Sequence, residues 1–385
     1  MCSSDLLRRP RPDRDGGARD EACAPDRDRP GSRSASRGRR LKVVAIAGAS
    51  TLLGSEILRA LEENLAVSEL RPIAAAGEEG AGKIETGPVE FRDDEVELLA
   101  ADGKTLDGVD VLFLAGTAAQ AAELAKLGFT RGVRLIVDLS GRYADEPDVP
   151  LVLTSVNPAA LTGLPARALV AVPDAATAIA AAALAPIAAA AGIVRVHAST
   201  YESASGMGKA GMDELGKQIK ELFNYRSADV ALFPRSLAFN ALPRVGPFAK
   251  GGFTEAERHF SRGLNRLLGD LKTGPKVTAT RAWIPAFSGL AVSMVVDLKR
   301  ALSLDEAREL LAAHDALEVI DDPAEDEFPV SGETVGGDTV AVGRLRADES
   351  DPTRLLLWAA ADNVRFGGAL AAVKIAKDVL AAQSS

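Results

Sequence analysis

The sequence has 385 residues, 47% of them hydrophobic and 26% charged, with a formal net charge of −9 at pH 7. This length exceeds one typical hydrophobic core and suggests two globular domains. Both cysteines, Cys2 and Cys23, stand near the N-terminus, so the rest of the chain offers no disulfide, thiolate or cysteine-based metal site. The histidines, His197, His259 and His314, are too scattered to suggest a metal centre, and we expect none.

The N-terminal segment 1–40 differs in composition from the rest of the chain. It carries 11 arginines and 7 acidic residues, with repeated Pro, Gly and Ser and no apolar periodicity. Such a segment cannot bury enough apolar surface to order itself, so we predict a disordered tail, for which a mis-assigned translation start is an alternative origin. It lacks the apolar core of a signal peptide, and we expect a cytoplasmic protein.

The charge of the chain argues against nucleic acid as a partner. Acidic residues stand between the arginines of the tail, as in Asp26-Arg27-Asp28-Arg29, and reduce its positive electrostatic potential. Residues 41–385 carry 34 basic and 47 acidic residues. An acidic body of this kind repels a polyanion.

A Rossmann-like start follows the tail. The apolar run Val43 to Ala47 is typical of a buried parallel strand, and it leads through a glycine turn into helical apolar spacing at Ile57, Leu58 and Leu61. Strand, glycine turn and helix are the context of a dinucleotide fingerprint. The candidate nucleotide-binding residues in this turn are Gly48, Ser50, Thr51, Leu52 and Leu53.

The fingerprint is incomplete at Thr51. A glycine at the middle position lets the backbone approach the pyrophosphate, and the branched threonine side chain would crowd that approach. We therefore expect NADP or NAD to bind weakly, if at all. Further apolar strands alternate with helices and predict an α/β domain with a doubly wound parallel sheet over residues 41–173. These strands are Ile73 to Ala75, Val111 to Leu114, Leu135 to Val137 and Leu169 to Val172.

The pattern changes after residue 173. Long alternating strands separated by helices predict an α+β domain with a mostly antiparallel sheet over residues 174–364. The predicted strands are Val194 to Tyr201, Val277 to Ile284, Ala291 to Leu298, Thr339 to Leu345 and Leu355 to Ala361, and the predicted helices lie near 208–223, 254–268 and 303–313. A last amphipathic helix within 365–382 is expected to pack back on the first domain.

Two further features of this half bear on its partners. The run from Ala175 to Ala191 is apolar, but it is mostly alanine, contains Pro186 and is shorter than a bilayer span needs. We therefore predict a buried helix and no membrane segment. The strands Val277 to Ile284 and Ala291 to Leu298 offer more apolar face than a few helices would cover, which predicts a homodimer.

The junction between the two predicted domains has the backbone of an active site. A strand that ends at a helix N-terminus gathers unpaired N–H groups and the positive end of the helix dipole, which favours an anion or a thiolate. An α/β enzyme would place its nucleophile here. The sequence instead has Asp174, a good N-cap, followed by Ala175 and Ala176, which cannot attack a substrate.

Residues 41–382 resemble the aspartate-semialdehyde dehydrogenase family in the order and spacing of several motifs. The motifs are Gly48 to Gly54, Val156-Asn157-Pro158, Ser199-Thr200-Tyr201, Ser205-Gly206-Met207-Gly208, Ala238-Phe239-Asn240 and Asp362-Asn363-Val364-Arg365. The resemblance implies a two-domain, dimeric fold. In active members it implies NADP-dependent reductive dephosphorylation of an acyl phosphate to a semialdehyde.

The departures from the family fall where that chemistry would occur. By the resemblance, Ala175 stands at the position of the nucleophilic cysteine, Glu202 at that of a substrate-binding glutamine, and Trp283 at that of the arginine that clamps the substrate carboxylate. Leu290 stands at the position of the histidine base. Near the ribose, Glu79 replaces an arginine that would attract the 2′-phosphate.

A nucleophile, a base and a clamp act as a unit, so these departures favour a non-catalytic homologue that resembles the Usg-type members lacking the cysteine. Such a protein would be a dimeric module, pairing with itself or with an active paralogue, or sensing a metabolite. The alternative is an NAD(P)-dependent oxidoreductase of amino-acid biosynthesis that acts on an aldehyde or acyl phosphate by an unidentified route. In that case Glu202 or Asp174 would serve as acid or base.

Overall fold

The computed structural model describes residues 42–75, 87–269 and 273–382. The predicted tail 1–40 and the segment around Glu79 lie outside the described residues. The strands are β1 (Val43–Ala47), β2 (Glu69–Ile73), β3 (Val89–Phe91), β4 (Asp94–Val96), β5 (Val111–Leu114), β6 (Leu135–Asp138), β7 (Ala168–Ala171), β8 (Ile193–Glu202), β9 (Lys276–Trp283), β10 (Leu290–Leu298), β11 (Leu317–Val319), β12 (Val340–Asp348) and β13 (Asp351–Ala361). The α-helices are α1 (Leu52–Asn64), α2 (Gly103–Leu106), α3 (Ala118–Arg131), α4 (Ala175–Ala191), α5 (Gly208–Phe223), α6 (Glu255–Leu268), α7 (Leu304–Ala312) and α8 (Ala371–Ala382).

The first sheet has five parallel strands in the order β2-β1-β5-β6-β7. Side chains alternate between the two faces of a strand. Accordingly, Val44 and Ile46 of β1 share a core with α1, whereas Ala45 and Ala47 share a second core with α3. Helices on both faces of a parallel sheet confirm the predicted doubly wound α/β architecture.

Strand β2 begins four residues before the predicted Ile73 to Ala75 segment. Its sequence Glu69-Leu70-Arg71-Pro72-Ile73 mixes charges with a proline, so it lacks the continuous apolar run by which the other strands were predicted. The position explains the composition: β2 is at the edge of the sheet, where a proline that cannot donate a ladder hydrogen bond is tolerated.

The second sheet has six strands in the order β11-β12-β13-β10-β8-β9. The central pairs β12–β13, β13–β10 and β10–β8 are antiparallel, and the pairs at both edges, β11–β12 and β8–β9, are parallel. The predicted mostly antiparallel sheet is therefore confirmed at its centre. The parallel pairing of β8 with β9 aligns their carboxyl ends, which places Glu202 opposite Trp283.

Helix α4 lies at the centre of the molecule. It packs against α6, α7 and the strands β8, β10, β12 and β13, and every residue from Ala176 to Leu184 is buried. Alanines allow this because they keep neighbouring backbones close and lose no side-chain entropy. Across the described ranges, none of the helices has the length and apolarity needed to cross a membrane.

The chain returns to the first sheet after β13. Residues Arg365–Leu370 form a turn of π-helix that continues into α8, and these two elements pack against α1 and β6. The π-helical turn also contacts the start of α4: a side chain at Gly367 would put its Cβ 2.6 Å from the Cα of Ala175. Only glycine permits this approach.

Candidate active site

The N-terminus of α4 is capped as the sequence predicts. Asp174 is the N-cap residue, and its Oδ1 accepts a hydrogen bond from the Thr177 backbone N–H at 3.3 Å. Its Oδ2 accepts a second one from the Thr177 hydroxyl at 2.5 Å. Ala175 is the first residue of the helix and lines an open cleft. The position where a thiolate would be stabilised by the helix therefore carries a methyl group.

The carboxylate of Asp174 also pairs with a cation that sequence reasoning missed. Arg281 lies on β9 with its side chain buried, and its Nη1 is 3.1 Å from Asp174 Oδ1. The same guanidinium donates from Nε to Glu202 Oε1 at 2.7 Å and from Nη2 to Glu202 Oε2 at 3.0 Å. This bidentate geometry is the strong form of an arginine–carboxylate pair.

Electrostatics hold the arginine in its charged form. Burial by itself lowers the pKa of Arg281, but attraction by Glu202 and Asp174 outweighs it and raises the pKa above its ordinary value. Glu202 is fixed in turn by the Thr200 hydroxyl, which donates to its Oε1 at 2.6 Å. Two carboxylates and one guanidinium thus form a single network, in which Arg281 and Glu202 are buried and Asp174 is exposed, with one negative charge in excess.

The network changes how two predicted site residues are interpreted. By the resemblance, Glu202 stands at the position of a substrate-binding glutamine and Trp283 at that of the substrate-clamping arginine. In the structure the Glu202 charge is met by Arg281, two residues before Trp283 on β9. Residues two positions apart on a strand point to the same face, so the position of Trp283 in the sequence was the signal that could have placed Arg281 beside the cleft.

Trp283 and Leu290 provide apolar walls. Trp283 is buried against Phe233 in an edge-to-face contact with 5.5 Å between ring centroids. Leu290 begins β10, is buried, and is paired in register with Glu202. Neither side chain can accept or release a proton, so the groups next to the network are packing groups.

The network and its apolar neighbours line one cleft of about 470 Å³. Its lining includes Ala175, Glu202, Trp283 and Leu290, the four residues that the sequence placed at catalytic and substrate positions. Thr51, Leu52 and Leu53 of the glycine turn line it as well, whereas Gly48 and Ser50 do not. One wall is polar: Asn363 Oδ1 accepts hydrogen bonds from the Ser205 hydroxyl at 3.0 Å and from the Gly289 N–H at 3.1 Å.

The glycine turn retains the close packing of a nucleotide-binding loop. Gly48 has φ +82°, and a Cβ there would lie 2.8 Å from the backbone of Ala115 and Gly116. At Gly54 a Cβ would lie 2.1 Å from the Gly48 carbonyl oxygen. These two positions therefore require glycine.

Thr51 is used inside the turn. Its hydroxyl donates to the Gly48 carbonyl at 2.8 Å and accepts from the Gly54 N–H at 2.9 Å, so it caps α1. Leu52 and Leu53 lie in the first turn of α1, where backbone N–H groups have no acceptor in the helix, and both residues line the cleft. Such N–H groups can hold a phosphate group, but the Thr51 side chain occupies the turn where a dinucleotide fingerprint has its middle glycine.

The parallel dinucleotide-type sheet, the mixed sheet, and the cleft where the glycine turn meets the N-terminus of α4 are the architecture of the semialdehyde dehydrogenase fold. Two family models match the chain: the semialdehyde dehydrogenase NAD binding domain over residues 43–164, and the semialdehyde dehydrogenase dimerisation domain over residues 184–366.

Curated relatives agree with these matches. The aspartate-semialdehyde dehydrogenase of Legionella pneumophila is 34% identical over 336 residues, which cover 87% of this chain and 94% of that protein. The aspartate-semialdehyde dehydrogenase of Aquifex aeolicus is also 34% identical, over 87% and 96% of the two chains. Among solved structures, aspartate semialdehyde dehydrogenase II of Vibrio cholerae, in complex with ASA, superposes with a TM-score of 0.81 at 30% identity, covering 90% of this chain and 100% of that chain. The chain belongs to the aspartate-semialdehyde dehydrogenase family.

Proposed function

We propose that this chain is a non-catalytic member of the family, of the Usg type, with a cleft that does not carry out the semialdehyde reaction. The observation that carries the proposal is Ala175 at the N-terminus of α4. The helix end, the glycine turn and the cleft are all in place, but a methyl group cannot form a thioester. Leu290 in the same cleft cannot serve as a base.

The alternative is an NAD(P)-dependent oxidoreductase in which Glu202 or Asp174 moves the proton. The contacts of both carboxylates argue against this role. A general acid or base must gain and lose a proton during each turnover. Protonation of either group would give up a charge-assisted bond to the buried Arg281. Both carboxylates therefore serve to hold the guanidinium.

The proposal includes a homodimer formed through the second sheet. The face of this sheet opposite α4 carries the ring pair Tyr201 and Trp358, with centroids 5.1 Å apart, and next to it the half-buried Val295 and Leu356. The matched dimerisation domain includes all four residues. An active paralogue with a similar face is the alternative partner. Weak NADP or NAD binding at the glycine turn and a cytoplasmic location complete the proposal.

An activity assay tests the proposal. Purified protein is incubated with aspartate semialdehyde, phosphate and NADP, and NADPH formation is followed by absorbance. We expect no rate above that of the reaction without protein. Turnover that persists through repeated purification and is lost in the Glu202→Gln variant would overturn the proposal in favour of the oxidoreductase.

A further inference from the structure

We infer that Glu202 is an internal ligand of Arg281, and that it determines the specificity of the cleft by closing the arginine to carboxylates and phosphates. The inference rests on the proposed function, because an enzyme of this family would need to admit an acidic substrate.

The donors of Arg281 are already committed. Nε and Nη2 form parallel bonds to the two oxygens of Glu202, at 2.7 and 3.0 Å. Nη1 contacts Asp174 Oδ1 at 3.1 Å and the Ala256 carbonyl oxygen at 3.2 Å. A guanidinium has five N–H groups, and bidentate recognition of an anion needs two of them side by side. No such pair remains for an external ligand.

The internal carboxylate cannot easily move aside. Glu202 is buried at the end of β8, in register with Trp283 on the neighbouring strand, and the Thr200 hydroxyl holds its Oε1. Its withdrawal would leave a buried charge without its partner, which is strongly unfavourable. An external anion must also displace a group that belongs to the same chain and so has a high effective concentration.

The net charge of the cleft also disfavours the binding of an external anion. Within the described ranges, the charged residues that line it are Asp174, Glu202 and Arg281, which leaves one excess negative charge. The other polar groups at its wall, such as Ser203, Ser205 and Asn363, are uncharged. An anionic ligand next to Arg281 is therefore repelled and also finds the donors of the arginine occupied, whereas an uncharged ligand meets neither obstacle.

Removing the internal ligand should convert the network into an anion site. In Glu202→Ala, the space beside the fork of Arg281 fits the carboxylate of acetate. We expect this variant to be less stable than wild type and to regain thermal stability with added acetate, but not with acetamide, its uncharged isostere. The acetate concentration needed for half of this effect should be at least about 10-fold lower than for wild type.

Two controls test whether the acetate effect depends on the guanidinium of Arg281. Glu306→Ala removes a glutamate from an exposed pair with Arg300 far from the cleft, and should show no acetate-specific effect. The double variant Glu202→Ala, Arg281→Met keeps the cavity without the guanidinium, and should lose the acetate effect. If Glu202→Ala does not fold, Glu202→Ser opens the same space beside Arg281 with a small polar side chain and is expected to gain the same acetate preference.

The inference is overturned if acetate and acetamide stabilise the folded variant equally, or if wild type responds to acetate as strongly as the variant. The readout is ligand-linked stability and not turnover. Its failure therefore differs from the failure of the proposed function, which would appear as NADPH formation by the wild-type protein.

Discussion

Replacing Arg365 with methionine should destabilise the fold through three carboxylates at once. Arg365 begins the π-helical turn with a side chain only 4% exposed, and it donates to Glu56 and Glu63 of α1 at 2.6 Å each and to Asp338 at 2.5 Å. Burial alone lowers the pKa of Arg365, but the bonds to Asp338, Glu63 and Glu56 outweigh it and raise the pKa. Methionine keeps the apolar stem of the side chain and removes the charge.

The expected magnitude follows from the exposure of the partners. Removing one member of a fully buried ion pair costs about 3–5 kcal/mol. The side chains of Glu63 and Asp338 are 40% and 55% exposed, so water can solvate both once the arginine is gone. Glu56, at 20%, is the partner left most poorly solvated. We therefore expect a loss of about 2–3 kcal/mol in the free energy of unfolding, within a total of roughly 5–15 kcal/mol.

Urea denaturation measures the loss. The fluorescence of Trp283 and Trp358, which lie on strands of the second sheet, and far-UV circular dichroism together report on both sheets. The midpoint should fall at constant slope. Arg300→Met is the matched control, because its pair with Glu306 is about half exposed on both sides and should contribute little to stability. A loss at Arg365 no larger than at Arg300 would refute the reasoning.

Four further predictions concern the cleft, the partners and pH. Ala175→Cys should react with a small alkylating agent faster than free cysteine does near neutral pH, yet show no dehydrogenase turnover. Ala175→Ser is the control without a thiol. Turnover of the cysteine variant well above that of wild type would mean that only the nucleophile is missing. Calorimetric titration with NADP, then NAD, should show weak or no binding, and submicromolar affinity would contradict this. Sedimentation at micromolar concentration should show a dimer, and a species of only 40.1 kDa would count against the proposed interface. Burial raises the pKa of Asp138 despite its hydrogen bonds to Ser140 and Tyr143, so its contribution to stability is greatest at low pH and falls as pH rises through the folded pKa. Wild type should therefore gain stability relative to Asp138→Asn on acidification from about pH 7 to about pH 4. Parallel pH profiles of stability for the two proteins would exclude this role.

Local periodicity was enough to predict most of the fold. Apolar runs predicted β1, β5 and β6, and the alanine-rich run predicted α4 at the bounds Ala175–Ala191 that the structure shows. Each of these elements is determined by residues close together in the chain. Strand β2 was misplaced because an edge strand does not need a continuous apolar run.

The charge network could not be predicted in the same way. Arg281 and Glu202 are separated by 79 positions, and they meet only because β8 and β9 pair in parallel at one register. A shift of one residue in that pairing would turn one side chain to the opposite face of the sheet. The family's substrate arginine corresponds to position 283, and its motif gives no indication of an arginine at position 281. Which carboxylate pairs with Arg281 is therefore determined by the order and register of the strands, and not by residues close together in the chain.

The burial of α4 on every side has a consequence for the exchange of its amide hydrogens with solvent. Residues Ala176 to Leu184 are buried against neighbouring elements, so we expect their N–H groups to exchange with deuterium only when the surrounding sheet and helices separate together. Helix α4, whose N-terminus lines the cleft, should therefore be among the slowest-exchanging parts of the protein. The segment 224–253, which contains no regular helix or strand, should exchange far sooner, and movements that admit or release a ligand fall to it and to the other loops at the rim.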